Sequence, residues 1–229
     1  MLSIVRISGE ASLLRAGGRS IAGRIAEVLR RSGCEPIAVC ADGLEARVTT
    51  ALEDVPGPVP VLAAGSAALR ARLDALWDET VVLVDANALY DERMLQLAAG
   101  WRSPAVLVDS RPGFDPATGL RAVRAAELAA GGLPSRAEAA LPPVAEGVAR
   151  VDVADQPTYD QTVRRDRVWY RVPVRDAADI GRARETLVHS VSKGHMEFLV
   201  HVLNRPAEVW LSRRLVELPG QGREHGPAD

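Results

Sequence analysis

The sequence predicts an α/β fold in which a mainly parallel sheet lies between two layers of helices, followed by a C-terminal helical extension. Short apolar segments alternate with segments of helical periodicity over residues 2–108. Residues 80–84 (TVVLV) are β-branched or apolar throughout, as in a strand that is buried on both faces. Four strand–helix units in succession imply parallel strands, because each helix returns the chain to the same edge of the sheet.

The periodicity also predicts where each element lies. Strands are expected over residues 2–7, 36–40, 59–63, 80–84, 105–108, 148–153 and 167–174. Helices are expected over residues 21–32, 44–52, 67–77, 92–99, 120–130, 179–192 and 194–218. Gly33 follows the first helix, where a glycine commonly ends one. Asp176 or Asp179 is available to cap the helix that begins near residue 179.

Composition excludes several classes of protein. The chain has 229 residues, of which 47% are apolar and 25% are charged, so it is neither disordered nor collagen-like. A net charge of −2 gives no broad cationic surface, so no nucleic-acid partner is expected. Cys34 and Cys40 cannot form a disulfide framework, and Lys193 is the only lysine. No apolar run approaches 18 residues and the N-terminus does not resemble a signal peptide, which favours a cytoplasmic location.

Two segments are candidates for ligand binding. Asp85 and Asn87 directly follow the apolar strand 80–84, and ligands of open α/β sheets bind beyond the carboxyl ends of strands. Their oxygens suit Mg²⁺, although both residues are equally typical of a turn. After the first strand, the segment that contains Gly9 offers backbone N–H groups to a phosphate, and Arg15 or Arg19 could pair with it.

The predicted C-terminal helix combines many apolar residues, among them Trp210, with several arginines. The apolar residues cover more than one stripe of the helix. The segment therefore either packs on its own domain or lies on a membrane or a membrane partner.

Three stretches resemble the sugar-phosphate nucleotidyltransferases. The nearest group is the cytidylyltransferase-like domains fused ahead of CDP-alcohol phosphotransferases, of the inositol-phosphate cytidylyltransferase type. Residues 15–20 (RAGGRS) resemble the step that opens the family's first long helix, and 84–91 (VDANALYD) its strand-end acidic segment. Residues 172–205 are the most specific, because Lys193, Asn204 and Arg205 match the segment that leads into the membrane enzyme.

The resemblance implies a GT-A (Rossmann-like) fold, with a nucleotidyltransferase-like domain over residues 1–193, an amphipathic helix over 194–218 and a disordered tail over 219–229. It also implies chemistry: such enzymes transfer CMP from CTP to a sugar or polyol phosphate and release pyrophosphate, with Mg²⁺ aligning the phosphates. Asp85 matches the first metal aspartate. The second acidic positions, counted back from Asp179, fall on Pro173 and Arg175, which cannot bind Mg²⁺.

Three functions follow from these expectations. The first is a domain with reduced or no catalysis, in which Arg15, Arg19 and Arg175 bind phosphate in place of a metal. Such a domain would bind a nucleotide or dock onto a membrane CDP-alcohol phosphotransferase, at the inner face of the membrane, and serve phospholipid headgroup synthesis. The second is an active, Mg²⁺-dependent cytidylyltransferase. The third is a GT-A glycosyltransferase that uses the sequence DAN at 85–87 as its metal motif.

Overall fold

The computed structural model describes residues 1–133, 147–160 and 165–192, together with Trp210, Leu211, Arg213 and Arg214. The strands are β1 (Leu2–Ile7), β2 (Arg15–Ala16), β3 (Arg19–Ser20), β4 (Glu35–Cys40), β5 (Val61–Ala63), β6 (Thr80–Asp85), β7 (Ala88–Tyr90), β8 (Ala105–Val108), β9 (Ala117–Arg124), β10 (Ala149–Asp152), β11 (Tyr159–Asp160), β12 (Arg165–Asp166) and β13 (Arg171–Pro173). The α-helices are α1 (Ile21–Arg31), α2 (Glu45–Leu52), α3 (Ala67–Asp74), α4 (Glu92–Ala99), α5 (Ala125–Gly131) and α6 (Ala177–Ser192).

A seven-stranded sheet forms the centre of the protein, in the order β10-β8-β9-β6-β1-β4-β5. Strand β9 runs antiparallel to both of its neighbours, and the other six strands are parallel to one another. The predicted α/β fold with a mainly parallel sheet is therefore confirmed. Three two-stranded ribbons also form, in which β2 pairs with β3, β7 with β13 and β11 with β12.

The helices cover both faces of the sheet. Along β1, Leu2 and Ile4 pack in an apolar cluster that includes residues of α3 and α5, whereas Val5 and Ile7 pack in a second cluster with residues of α1, α2 and α4. Successive side chains of a strand point to opposite faces, so an apolar strand buried on both sides joins the two helical layers. This arrangement leaves the strand ends as the place where polar side chains meet.

The structure corrects two of the predicted elements. The helix expected over residues 120–130 is wrong in its first half, because 117–124 form strand β9 and only Ala125–Gly131 are helical. Alternate residues of β9, beginning with Thr118 and Leu120, are buried, which is the period of a strand. The strand expected over 167–174 is limited to Arg171–Pro173.

Several expectations concern residues outside those that the structure describes. They include Lys193, Asn204, Arg205, most of the predicted helix 194–218 and the tail 219–229. Trp210 is helical and 59% exposed, with the Arg214 guanidinium carbon 5.5 Å from the centre of its ring. Within the described ranges, none of the helices has the length and apolar character needed to span a bilayer.

Candidate functional site

A buried ion pair lies at the carboxyl ends of strands β1 and β6. Arg6 and Asp85 are partners in the parallel register of these strands, and their side chains are nine-tenths or more buried. The Nε atom of Arg6 lies 2.5 Å from Oδ1 of Asp85, and Nη2 donates a hydrogen bond to Oδ2 at 2.6 Å. The planar guanidinium thus faces both oxygens of the carboxylate. It provides this buried carboxylate with both a neutralising positive charge and hydrogen-bond donors.

Tyr90 and Gly119 surround this carboxylate. The Tyr90 hydroxyl lies 2.8 Å from the Asp85 carbonyl oxygen and 2.9 Å from that of Thr118, and its proton is shared between these acceptors. Gly119 has a φ of +83° and approaches so closely that a Cβ would lie 3.0 Å from both Asp85 Cβ and the Tyr90 hydroxyl oxygen. Burial raises the pKa of Tyr90 far above its usual value, although the positive charge of Arg171 partly offsets this effect. The hydroxyl therefore stays protonated as a hydrogen-bond donor.

Asn87 shapes the turn between β6 and β7. Its carbonyl oxygen accepts a hydrogen bond from the backbone N–H of Val174 at 2.8 Å, which ties this turn to the segment that follows β13. Its side-chain Oδ1 lies 3.5 Å from the Tyr90 hydroxyl. Asn87 therefore has the turn-forming role that its residue type also allows, and its assignment to a metal stays a prediction.

Two further buried aspartates follow strands, and each is paired with the arginine two residues later. Asp91 follows β7 and Asp109 follows β8, with 0% and 1% of their surface exposed. Arg93 donates to both oxygens of Asp91 at 3.0 and 2.9 Å, and Arg111 donates to both oxygens of Asp109 at 2.7 and 2.6 Å. In each pair the aspartate also accepts the backbone N–H of its arginine, at 3.1 and 3.3 Å.

These two pairs also hold the segment that precedes β13. Arg93 donates to the carbonyl oxygen of Arg167 at 2.9 Å, and Arg111 donates to that of Trp169 at 2.8 Å. The Arg167 guanidinium lies 3.4 Å from the Asp91 carboxylate as well. The paired arginines therefore position residues 167–169 over the edge of the sheet.

Two of the arginines expected to bind phosphate lie on neighbouring strands of one ribbon, and each already has an acidic partner. Arg15 is exposed on strand β2 and forms an ion pair with Asp54, and Arg19 on β3 forms an ion pair with Glu27 of α1. Their assignment to phosphate remains a prediction.

Gly9 precedes a 3₁₀ helix over Glu10–Leu13, and its carbonyl oxygen accepts from the Ser12 N–H at 3.3 Å. Its φ of 176° is extended backbone, so the conformation itself does not require glycine.

Arg175 lies at the surface, and Arg171 occupies the interior. The side chain of Arg175 is exposed, and its backbone N–H donates to Asp179 Oδ2 at 3.0 Å. The Arg171 side chain is only 5% exposed and belongs to the residue directly opposite Tyr90 in the β7–β13 ribbon. The structure thus brings Arg171, rather than Arg175, beside the residues that surround Asp85.

The residues at this edge do not fit a Mg²⁺ site in the arrangement described. Mg²⁺ takes about six oxygen ligands in octahedral geometry, and the carboxylate of Asp85 is already engaged by Arg6. Among the described residues, no three histidine, cysteine, aspartate or glutamate side chains converge on a position that could hold a metal ion. The remaining buried acids at the strand ends, Asp91 and Asp109, face arginines of their own.

Comparison with solved structures identifies the fold. A cytidylyltransferase from Leptospira borgpetersenii matches 98% of this chain over 99% of its own length, with a TM-score of 0.53 and 13% identity. The 4-diphosphocytidyl-2C-methyl-D-erythritol synthase of Anaerococcus prevotii matches 82% of this chain over 96% of its own length, with a TM-score of 0.55 and 12% identity. HddC from Yersinia pseudotuberculosis matches 81% over 99% of its length, with a TM-score of 0.54 and 10% identity. The chain has a nucleotidyltransferase-like fold. No protein-family model and no curated protein sequence matches it.

Within this nucleotidyltransferase-like fold, sequence reasoning missed Arg6 and Arg171. Arg6 is a single charge inside a strand that is otherwise mainly apolar, which is a signal of a buried partner, whereas Arg171 begins the short strand β13 and carries no such signal. Asp85 ends the strand next to β1, so the pairing of Arg6 with Asp85 could have been inferred from the predicted parallel sheet. The Asp-x-Arg spacing shared by residues 91–93 and 109–111 is also visible in the sequence.

Proposed function

We propose that this chain is a nucleotidyltransferase-like domain that binds a nucleotide or a sugar or polyol phosphate without transferring a nucleotidyl group. The observation that supports this most directly is the buried ion pair between Arg6 and Asp85. It leaves the acidic strand end, at which the sequence predicts a metal, without net charge. A domain of this kind would act through binding.

The charge balance of the pair explains why transfer is not expected. Phosphoryl-type transfer depends on positive charge that aligns and neutralises the phosphates, which bound metal ions commonly supply. A metal ion could use Asp85 only if Arg6 left it, and separating a buried pair costs several kcal/mol. The Arg6 guanidinium is likewise paired with the Asp85 carboxylate, so it does not supply this positive charge to a phosphate.

The proposed setting is CDP-alcohol and phospholipid headgroup metabolism. Its support is the sequence resemblance around Lys193, Asn204 and Arg205, together with a fold that matches a cytidylyltransferase along nearly the whole chain. The partner would then be a membrane CDP-alcohol phosphotransferase, contacted through the segment that contains these residues and Trp210. The domain would lie on the cytoplasmic face of the membrane.

Calorimetric titration of CTP tests this function, performed once with Mg²⁺ and once with EDTA. We expect the same affinity in both, because the proposed binding uses arginines. In parallel, a pyrophosphate-release assay with CTP and a panel of sugar and polyol phosphates should give no product. Glucose 1-phosphate and glycerol 3-phosphate belong in that panel.

The alternative function is an active cytidylyltransferase, which the match to the Leptospira borgpetersenii cytidylyltransferase favours. It requires Mg²⁺-dependent release of pyrophosphate that is lost in Asp85→Ala. The exposed Asp78, which lies between α3 and β6, supplies the matched control Asp78→Ala. Release that survives in Asp78→Ala but not in Asp85→Ala would overturn our proposal.

A further inference from the structure

Arg171 is a buried cation whose contacts with an acidic residue are long. Its side chain is 5% exposed, yet its ion-pair contact, Nη2 to Asp115 Oδ2, is 4.0 Å long. Nη1 donates to the carbonyl oxygen of Asp115 at 3.5 Å. Within the part of the chain that the structure describes, buried Nε has no hydrogen-bond partner. A guanidinium removed from water normally has close acceptors, so this residue has capacity to bind another anion.

A second buried arginine, Arg6, lies near the same tyrosine as Arg171. Its cross-strand neighbour Tyr90 is a neutral phenol whose hydroxyl forms a side-chain hydrogen bond with Arg171, and both Arg171 and Arg6 act electrostatically on that hydroxyl. The groups that act on the Tyr90 hydroxyl thus include two buried arginines and one buried carboxylate, that of Asp85. Both arginines lie close to the carboxyl end of β6, and ligands of open α/β folds bind beyond the carboxyl ends of strands.

Asp115 covers this cation from the solvent side. Its side chain is 56% exposed and belongs to the loop 109–116, which connects β8 to β9. The Oδ1 atom accepts the backbone N–H of Ala117 at 3.0 Å, and the other oxygen faces Arg171. An exposed carboxylate that lies 4.0 Å away is held loosely, because solvent screens its attraction to the guanidinium.

We propose that Arg171 binds a phosphate group of the ligand, and that this phosphate takes the place now held by the Asp115 carboxylate. The inference rests on the proposed binding function and assigns it a residue and a ligand chemistry. Phosphate oxygens match the forked donors of a guanidinium at short distance, and they carry more charge than a carboxylate. In the absence of ligand, the Asp115 carboxylate then neutralises Arg171, and it competes with the ligand phosphate for the guanidinium.

Opposite charge changes at the two residues test the proposal. The full-length chain is titrated with pyrophosphate, CTP and glucose 1-phosphate in EDTA. Asp115→Asn keeps the acceptor for Ala117 N–H and removes the competing charge, so affinity should rise several-fold. Arg171→Gln should lower affinity about tenfold or more, the scale of a charge-assisted hydrogen bond. The affinity of Arg171→Lys should lie between that of wild type and that of Arg171→Gln, since lysine keeps the positive charge but lacks the paired donors of a guanidinium.

Controls separate this proposal from folding and from the function above. Asp155→Asn removes an exposed aspartate in the 3₁₀ helix Val153–Asp155 and should leave affinity unchanged. Thermal unfolding establishes that each variant is folded, and Asp115→Asn alters only an exposed side chain.

Each result has one meaning. Unchanged or weaker binding in Asp115→Asn overturns the proposal, as does wild-type affinity in a folded Arg171→Gln variant. So does failure of both wild type and Asp115→Asn to bind any of the three probes. Pyrophosphate release would overturn the binding-only function but not the role of Arg171. Comparison of the probes shows whether the phosphate belongs to a nucleotide or to a sugar.

Discussion

At the scale of single residues, buried aspartates at strand ends are neutralised by arginines of the same chain. Asp85 pairs with Arg6 across two strands, whereas Asp91 and Asp109 each pair with the arginine two positions later. A buried pair adds little net stability compared with apolar residues of similar size, but the loss of one partner exposes the full cost of an unpaired buried charge. These pairs therefore specify how the edge of the sheet is arranged.

Substitution of Arg6 tests that description. Arg6→Leu leaves the Asp85 carboxylate buried without its cation, so the free energy of unfolding should fall by about 3–5 kcal/mol. Urea denaturation measures this decrease in the free energy of unfolding. The double variant Arg6→Leu/Asp85→Leu should regain much of this loss. Arg47, whose pair with Glu10 is exposed, is the matched control, and Arg47→Leu should change the free energy of unfolding far less, because solvent screens an exposed ion pair. Equal losses at Arg6 and Arg47 would contradict the account.

At the scale of elements, the antiparallel strand β9 brings backbone against the ion pair. Its pairing with β6 places Gly119 beside Asp85, and the positive φ of Gly119 turns the chain where a side chain would not fit. Thr118, one residue earlier, donates its hydroxyl to the carbonyl oxygen of Leu107 on β8 at 2.6 Å. The strand is thus held to both neighbours at the point where it meets the site.

Substitution of two glycines with the same φ angle distinguishes the cost of backbone strain from the cost of steric crowding. Gly113 also has a φ of +83°, but a Cβ there would meet nothing within 4 Å. We expect Gly113→Ala to lower the free energy of unfolding by about 1–2 kcal/mol, the cost of a left-handed conformation for alanine. Gly119→Ala should lose about 1–3 kcal/mol more, because Asp85 and Tyr90 must move. Chemical denaturation of both variants measures the difference, and equal losses would argue against close packing at Gly119.

At the scale of the whole molecule, buried thiol and phenol groups make the free energy of unfolding decrease at alkaline pH. Burial raises the pKa of both cysteine thiols, of Tyr90, and of Tyr170, the last to about 12. These groups ionise at lower pH in the unfolded chain than in the folded chain. The unfolded state therefore gains stability as the pH rises above the ordinary values, which are 9.0 for cysteine and 10.0 for tyrosine.

The expected outcome is a free energy of unfolding that is constant with respect to these groups well below pH 9 and declines progressively as the pH rises through 9 and then through 10. Urea denaturation between pH 8 and pH 11 measures the decline. Tyr90→Phe removes one of the contributing groups, so its curve should be shallower above pH 10, whatever its stability at neutral pH. An identical slope in wild type and Tyr90→Phe would show that this tyrosine does not contribute.

How far the sequence predicts this structure depends on the range of the interactions involved. Local periodicity is sufficient for β1, β8 and α4, whose predicted bounds agree with the structure. It fails at β9, because the alanine-rich stretch there is compatible with a helix and only pairing with β6 and β8 selects a strand. The strand-end position of Asp85 is predictable. The location of Arg171 is not, since it depends on a ribbon between segments about 80 residues apart.

The reversed direction of β9 also affects how freely this protein can vary. Because β8 and β9 are antiparallel neighbours, the loop 109–116 leaves the sheet and re-enters it at the same edge, beside Arg171. The entropy of closing such a loop increases only slowly with its length, so residues can be inserted there while both strands keep their register. Change in ligand preference through evolution is therefore separable from the integrity of the sheet.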